Sequence, residues 1–479
     1  MAQEKPLPVE ILTTFPAVDE AKVDALLKEE LKKLTPKIVV LDDDPTGVQT
    51  VHDISVYTDW TVDTLVQGFE EPGSMFFVLT NSRGMTVPQT TAAHKEIAQN
   101  VFDAAQKTGK EYILISRSDS TLRGHYPLET QILREETERL TGKKIDGEIM
   151  LPFFQEGGRF TIGNVHYVKE GDQLTPAAMT EFAKDKSFGY TKSHLGEYCE
   201  EKSVGLYRAS DMTYLSLEEI RSLDLDGIEK KLMNVTDFGK VIVNAIAYVD
   251  VKIFAIAFCR AVASGKRFIF RSAAAITKVL GGVSDQPLLT REQMVSDGNP
   301  NGGIVLVGSH VKKTTDQLNE LHHAKKPLTF IEFHAARVLE KGGLDDEVEK
   351  TVAQAEQLIK AGKSVVVFTS RELVKLDTED KDQILEASVA ISNAVTSVIG
   401  KLTVKPSFIV AKGGITSSDV GTKALKVKRA TVLGQIKPGI PVWKTGPESK
   451  FPNMAYVIFP GNVGEVTTLR EAVETLMGD

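Results

Sequence analysis

Short apolar runs followed by polar, glycine-bearing turns recur along the chain. Residues 37–41, Lys-Ile-Val-Val-Leu, lead straight into Asp42-Asp43-Asp44-Pro45-Thr46-Gly47. Residues 75–79 lead into Thr80-Asn81-Ser82-Arg83-Gly84, and Tyr-Ile-Leu-Ile at 112–115 leads into the turn carrying Asp119-Ser120-Thr121-Leu122-Arg123-Gly124. A continuous apolar run of this length bounded by turn residues predicts a buried strand. Helices are expected at 90–107 and 127–140. Strand, polar turn and helix thus recur three times by residue 140, the signature of a parallel sheet with crossover helices. The turns should gather on the carboxyl edge of the sheet, where open α/β folds bind ligands.

The same alternation continues. Residues 18–34 place Val23, Leu26, Leu27, Leu31 and Leu34 at helical spacing, so 1–36 reads as a leader helix packed on the first domain. A strand at 146–151 precedes an expected loop over 152–163 that holds Gly157-Gly158-Arg159-Phe160-Thr161. Residues 171–237 are uneven in period and carry no clear chemistry. A strand at 240–244 and a well-buried helix at 249–263 follow. The apolar stretch 241–263 is interrupted by Asn244, Asp250, Lys252 and Arg260, too many polar groups for a membrane span. A strand at 266–270 ends in Arg271-Ser272-Ala273-Ala274. Residues 281–303 are rich in turn formers and mark a domain connection. The second domain has strands expected at 303–307, 328–333, 364–368, 407–411 and 455–459, with helices from 314, at 345–361 and at 380–399. The expected fold is therefore α/β: a first domain over 37–290 and a second over 291–479, each a mainly parallel sheet flanked by helices, with the active site expected in the interdomain cleft.

Composition narrows the function. With 479 residues, 42% hydrophobic and 25% charged, the chain is long enough for two or three domains with ample cores. A net charge of −8 argues against a general affinity for nucleic acid. Only Cys199 and Cys259 are present, too few for a disulfide framework or a zinc site, so a reducing cytoplasm is the simplest compartment. The first eight residues have no apolar core of a signal peptide. No pair of histidines has metal-site spacing; His166 and His194 read as packing or solvent residues.

The turns carry the candidate chemistry. Arg117 and Arg123 offer planar forks for a carboxylate or phosphate, Ser116, Ser118, Ser120 and Thr121 offer hydroxyls, and Asp119 offers a base or acceptor. A small polyhydroxylated anion suits such a set. Three successive carboxylates at 42–44 repel one another unless a cation or ligand offsets them, and a capping Asp accounts for only one. Arg159 could face an anion. In the second half, Gly308-Ser309-His310 puts amides and a hydroxyl at a helix start, where the dipole favours a phosphate. Lys412-Gly413-Gly414-Ile415-Thr416-Ser417 is the best phosphate cradle, and Gly461 and Gly464 form a third glycine turn. Neither a Walker A loop nor a Rossmann fingerprint is present. An anion site in one half and phosphate turns in the other imply phosphoryl transfer.

These turns resemble, in type and order, those of the four-carbon acid sugar kinase family, formerly a domain of unknown function. Its Asp-Asp-x-Thr-Gly pattern resembles Asp43, Asp44, Thr46 and Gly47, and its Asp-Ser-Thr-Leu-Arg-Gly resembles residues 119–124. Gly-Arg-x-Thr-x-x-Gly resembles 158–163, and Arg-Ser-Ala-Ala resembles 271–274. Gly-Ser resembles Gly308 and Ser309, Gly-Gly-x-Thr resembles 413–416, and Gly-Asn-x-Gly resembles 461–464. The resemblance covers nearly the whole chain beyond residue 37; Phe459-Pro460 stands where the family usually has Lys-Ser. It implies an ATP-dependent kinase for the terminal hydroxyl of a threonate, erythronate or 3-oxo-tetronate, with Mg²⁺ bridging the β- and γ-phosphates and no protein ligand for the metal assigned. Asp44, Asp119 and Arg123 are the implied catalytic residues, with Asp44 or Asp119 as base. Asp43, Ser82, Arg83, Ser120, Arg159 and Arg271 are the implied substrate residues, and Ser309, Gly413, Gly414, Ile415, Thr416 and Gly461 are those for ATP. The expected partners are the sugar acid and ATP, with no nucleic acid or membrane; a homodimer is compatible. A non-catalytic sensor of sugar acid and nucleotide is the rival reading, and an NAD-linked dehydrogenase a more distant one.

Overall fold

The structure, a computed structural model, describes residues 4–296, 298–309, 311–372, 374, 381–461 and 463–478. Contacts divide the chain into two units, Met1–Asp285 and Gln286–Asp479.

The first unit is built on a parallel sheet. In chain order its strands are β1 (Lys37–Asp42), β2 (Ser55–Tyr57), β3 (Met75–Leu79), β4 (Tyr112–Arg117), β5 (Gly147–Leu151), β6 (Thr213–Leu215), β7 (Gly239–Val243) and β8 (Phe268–Ser272). They lie side by side in the order β6-β7-β5-β8-β4-β1-β3-β2, and every pairing is parallel. Nearly every residue of β1, β3, β4, β5 and β8 is buried, because helices cover both faces. The crossover helix Val87–Thr108 starts at a Thr86–Gln89 capping box with a proline in its first turn and ends at Gly109 in the left-handed region.

Helix Tyr248–Ala263 is buried as expected, and its charged residues have partners. Asp250 accepts the amides of Ile246 and Ala247, both at 2.9 Å, and pairs with Arg221 Nε at 2.8 Å. Lys252 reaches Asp24 at 2.6 Å and Arg260 reaches Glu30 at 3.2 Å, which docks the leader helix Glu20–Leu31 onto it.

One expectation needs correction, and one region left without elements gains them. Residues 152–163 are not simply a loop: Arg159–Ile162 is a strand of an antiparallel ribbon with Val165–Glu170, Gln173–Pro176 and Leu7–Pro8. The uneven region 171–237 holds helices Leu195–Lys202, Leu217–Arg221 and Leu225–Met233 as well as β6, which extends the sheet beyond β7.

The second unit contains β9 (Ile304–Val307), β10 (Thr329–Phe333), β11 (Val365–Thr369), β12 (Ile409–Lys412), β13 (Arg429–Lys437), β14 (Ile440–Thr445) and β15 (Ala455–Phe459). The order is β13-β14-β15-β12-β9-β11-β10. Strands β15, β12, β9, β11 and β10 pair in parallel, while the hairpin β13–β14 joins β15 antiparallel. Helices Lys312–Glu320, Gly343–Lys360 and Lys381–Lys401 follow their strands. His310 and Asn462 of the expected phosphate turns, and Asp380 at the expected start of helix 380–399, lie outside the described residues.

Candidate functional site

In the first unit the chain after β1 first builds β2 and β3 on one side and then crosses to β4 on the other. The point where strand order reverses opens a crevice at the carboxyl edge, and the register fixes what lines it. Asp42 pairs with Leu79 on β3 and with Arg117 on β4, and Ser272 of β8 pairs with Arg117 and Leu151. The turns at 42–47, 80–84 and 118–124 therefore start level with one another, along with the residues that follow β5 and β8.

The acidic turn is offset by the protein's own arginines. Arg83 grips Asp43 with both branches, Nη2 to Oδ1 at 2.6 Å and Nε to Oδ2 at 3.1 Å, and reaches Asp44 Oδ2 at 3.3 Å. Arg117 donates to Asp42 Oδ1 at 3.2 Å and to Gln49 Oε1 at 3.1 Å. Burial pushes the Asp42 carboxyl up to about 8 against the pull of Arg117. Burial raises Asp43 as well, with Arg83 opposing. For Asp44, burial is outweighed by Arg83 and by the Thr46 hydroxyl and amide, the amide at 2.9 Å, and its pKa falls below the usual value.

Asp119 is held differently. Its Oδ2 accepts Arg123 Nε at 2.6 Å and the Thr121 hydroxyl, while Oδ1 accepts no hydrogen bond among the described residues. Although burial opposes ionisation, Arg123, Arg83 and these hydrogen bonds hold the carboxyl far below the ordinary carboxylate range. The turn places Leu122 at φ 69° and Gly124 at φ 122°. A Cβ on Gly124 would lie 2.8 Å from the Arg271 guanidinium, so the position requires glycine twice over. Ser120 is buried, and its carbonyl accepts His166 Nε2 at 2.8 Å. Burial pushes His166 down to about 4, so it is a neutral packing histidine, with Nδ1 at 3.0 Å from the Thr161 hydroxyl.

Arg159 stands at the start of the antiparallel ribbon. Its guanidinium and that of Arg123 both lie over the Phe182 ring, at 5.7 Å and 5.1 Å from the centroid. Arg159 is only 6% exposed, its Nε has no hydrogen-bond partner, and no carboxylate among the described residues pairs with it. Burial lowers its pKa to about 10, with Asp119 opposing. Among the described residues it is a buried cation with no carboxylate in hydrogen-bond contact.

Arg271 faces inward. It donates through Nη1 to Glu129 Oε2 at 2.8 Å and to the Ser118 hydroxyl, and through Nη2 to the Arg123 carbonyl at 3.1 Å. Ser82 donates to the other Glu129 oxygen at 2.5 Å. Burial opposes the Glu129 charge, but His94, Arg271 and Ser82 lower its pKa. Glu129, on helix Leu128–Thr141, thus ties the turns after β3 and β4 together. It stands in no turn and in no motif, so the sequence carried no signal for it.

In the second unit the strand order reverses at β9, between β11 and β12. Val307 is level with Lys412 on β12, which is level with Phe459 on β15. A Cβ on Gly308 would lie 2.5 Å from the Thr416 hydroxyl, and one on Gly413, at φ 116°, would lie 3.5 Å from Ser309 Cβ. Ser309, Gly413 and Thr416 are therefore brought together. Gly413 caps the helical run beginning at Gly414 and offers no side chain to cap its leading amides. Ile415 projects into solvent, 71% exposed. Lys412, buried, donates to the carbonyls of Pro460 at 2.7 Å and Gly461 at 3.3 Å, which brings Gly461 to the same edge.

No group of three or more His, Cys, Asp or Glu among the described residues could hold a metal ion, and no described helix is long and apolar enough to cross a membrane.

Comparison with known proteins gives two family matches: a sugar-binding N-terminal domain over residues 38–280 and a nucleotide-binding C-terminal domain over 304–469. None of the curated proteins matches the chain. Among solved structures, a Salmonella typhimurium LT2 protein named as a candidate tRNA synthase is similar at 15% identity and TM-score 0.61, covering 91% of this chain and 98% of its own. Haemophilus influenzae protein HI1011, of the DUF1537 family, is similar at 16% identity and TM-score 0.57, covering 91% and 100%. At such identity these two establish the fold alone. The first domain match spans more than half of the chain and the second most of the rest, in the order in which the Asp/Arg-bearing turns and the glycine turns occur; the chain belongs to the four-carbon acid sugar kinase family.

Proposed function

We propose that this protein is an ATP-dependent kinase that phosphorylates the terminal hydroxyl of a four-carbon sugar acid, a threonate, erythronate or 3-oxo-tetronate. The observation that carries the reading is Arg159: a buried guanidinium that no carboxylate among the described residues pairs with, beside the Asp119–Arg123 pair. A guanidinium in such surroundings is most economically completed by a carboxylate, which it can take bidentately. Ser120 and the free Asp119 Oδ1 supply an acceptor set for hydroxyls next to it.

In this reading Arg159 holds the substrate carboxylate and Asp119 Oδ1 accepts the hydrogen bond of the attacking hydroxyl. The hydroxyl oxygen bonds to the γ-phosphorus as the bond to the β–γ bridging oxygen breaks, ADP leaves, and the hydroxyl proton passes late in the step through Asp119 Oδ1 to solvent. A carboxylate this acidic is a weak base. It suits a loose phosphoryl-transfer transition state, in which orientation counts for more than early proton removal. The Arg123 guanidinium donates to Asp119 through Nε and has Nη1 3.9 Å from Asp185 Oδ2, which leaves Nη2 to face charge on the transferring phosphoryl group. Asp44, whose oxygens are taken by Thr46 and Arg83, and Asp43 and Ser82 shape the turns around the acid. Ser309, Gly413, Gly414, Thr416 and Gly461 cradle the ATP phosphates, and Ile415 offers an apolar surface beside them. Mg²⁺ arrives with ATP as part of the substrate, bridging its phosphates and keeping most of its waters.

The test is ADP release from Mg-ATP with a panel of D- and L-threonate, D- and L-erythronate and the 3-oxo-tetronates. Turnover with one acid supports the reading and names the substrate. Binding of ATP with no turnover across the panel would favour a sensor.

A further inference from the structure

Lys412 is a buried lysine at the end of β12 whose partners are all uncharged. Its Nζ donates to the Pro460 and Gly461 carbonyls and lies 4.7 Å from the centre of the Phe459 ring. No carboxylate among the described residues pairs with it. Among the described residues this ammonium has no counter-charge, and its hydrogen bonds join the end of β12, where the 413–416 turn begins, to Pro460 and Gly461 after β15. The missing charge is negative, and the ligand of those turns is a polyphosphate.

We propose that Lys412 is a positioning residue of the nucleotide site: it ties the turn after β15 to the turn after β12, and its charge is completed when a nucleotide polyphosphate binds above them, so that nucleotide binding takes up a proton. The inference rests on the nucleotide-binding reading of the second unit and adds a pH-dependent affinity to it.

Burial, and after it the exposed Lys313 on helix Lys312–Glu320, pulls Lys412 down to about 7. Among the described residues Lys313 is the one charged group acting on it, and it opposes the charge; only the two carbonyls and the Phe459 ring favour the ammonium. An amine of pKa about 7 is roughly one-tenth charged at pH 8. If bound phosphate makes the proton about a hundredfold tighter, the amine becomes about nine-tenths charged, an uptake of roughly 0.8 proton per nucleotide. The sign follows from linkage: a proton bound more tightly in the complex makes affinity fall as pH rises, here by about 25-fold between pH 7 and 9.

The experiment is calorimetric titration of the full chain with Mg-ADP at pH 8 in buffers of differing ionisation enthalpy, where the phosphates of the ligand are already deprotonated. Wild type should take up well over half a proton per nucleotide and bind about 25-fold more weakly at pH 9 than at pH 7. Lys412→Arg, which stays charged throughout, should bind without proton uptake and with a flat pH profile. Tight binding by wild type with no proton uptake overturns the inference alone, and so does uptake that persists in Lys412→Arg. Absence of binding by Mg-ADP and Mg-ATP overturns the nucleotide reading and the inference together.

Discussion

Replacing Arg159 with methionine should make the protein more stable and less active at once. The structure supplies the magnitude. Burial lowers this guanidinium from its ordinary value to about 10, which at 1.36 kcal/mol per tenfold change in proton affinity means that keeping the charge inside the folded protein costs on the order of 3 kcal/mol. For a base whose folded pKa is depressed, the penalty applies in full below pH 10 and vanishes only above its ordinary value, so it is fully present at pH 7. Methionine removes it and keeps an apolar stem, losing at most the contact with Phe182, on the order of 1 kcal/mol. The net is a gain of about 2 kcal/mol, a rise of a few °C in Tm. A substrate carboxylate left facing methionine loses a charge-paired hydrogen bond worth about 3 kcal/mol, which lowers kcat/KM on the order of 10²-fold. Because the carboxylate is held equally in ground and transition states, the loss should fall on KM for the acid, with kcat and KM for ATP little changed. Thermal melts and steady-state ADP release on the same preparation read both effects. A variant that melts several °C lower and keeps wild-type kcat/KM would refute both the stored burial cost and the carboxylate role.

Other substitutions probe the remaining parts. Asp119→Asn should cut kcat on the order of 10²-fold, because the amide cannot accept as a carboxylate does, while Asp44→Asn should cost less; equal losses in steady-state assays would return Asp44 to contention as the acceptor. Glu129→Gln should lower both Tm and kcat, since it leaves the buried Arg271 charge unpaired beneath the Asp119 turn, by about 3 kcal/mol in a denaturant titration; an unchanged midpoint would remove Glu129 from its place as the tie between turns. Gly413→Ala forces a side chain into φ 116° and should raise KM for ATP about tenfold without changing KM for the acid; a shift in the acid's KM instead would contradict its place in the nucleotide site.

The parallel strands were legible because both their faces are covered, which writes them as unbroken apolar runs: Ile38 to Leu41, Met75 to Leu79 and Ile304 to Val307 needed no periodicity to be found. What escaped was short or alternating. Ser55–Tyr57 has only three residues, and the strand at Arg159–Ile162 hides behind Gly157-Gly158, which punctuate like a loop. The hairpin β13–β14 did carry a signal, since β13 alternates buried and half-buried residues along its length, the period of a strand with one face packed. For the site, the turn residues were visible as types, but their pairings were not. The acidic run demanded a cation, and nothing local shows that Arg83, in the turn after β3, and Arg117, at the end of β4, provide it. Arg271 looked like a substrate ligand in its own turn, and only its distance to Glu129 shows how it is occupied. Lys412 looked like the first residue of a phosphate turn rather than the buried support beneath it.

The most direct measurement is the position of the phosphate in the product. With Mg-ATP and the four-carbon acid that turns over, ³¹P NMR should show one phosphate monoester split by the two protons of a terminal CH₂, appearing in step with ADP. An ester coupled to a single CH proton, or ADP accompanied by free phosphate alone, would contradict transfer to the terminal hydroxyl.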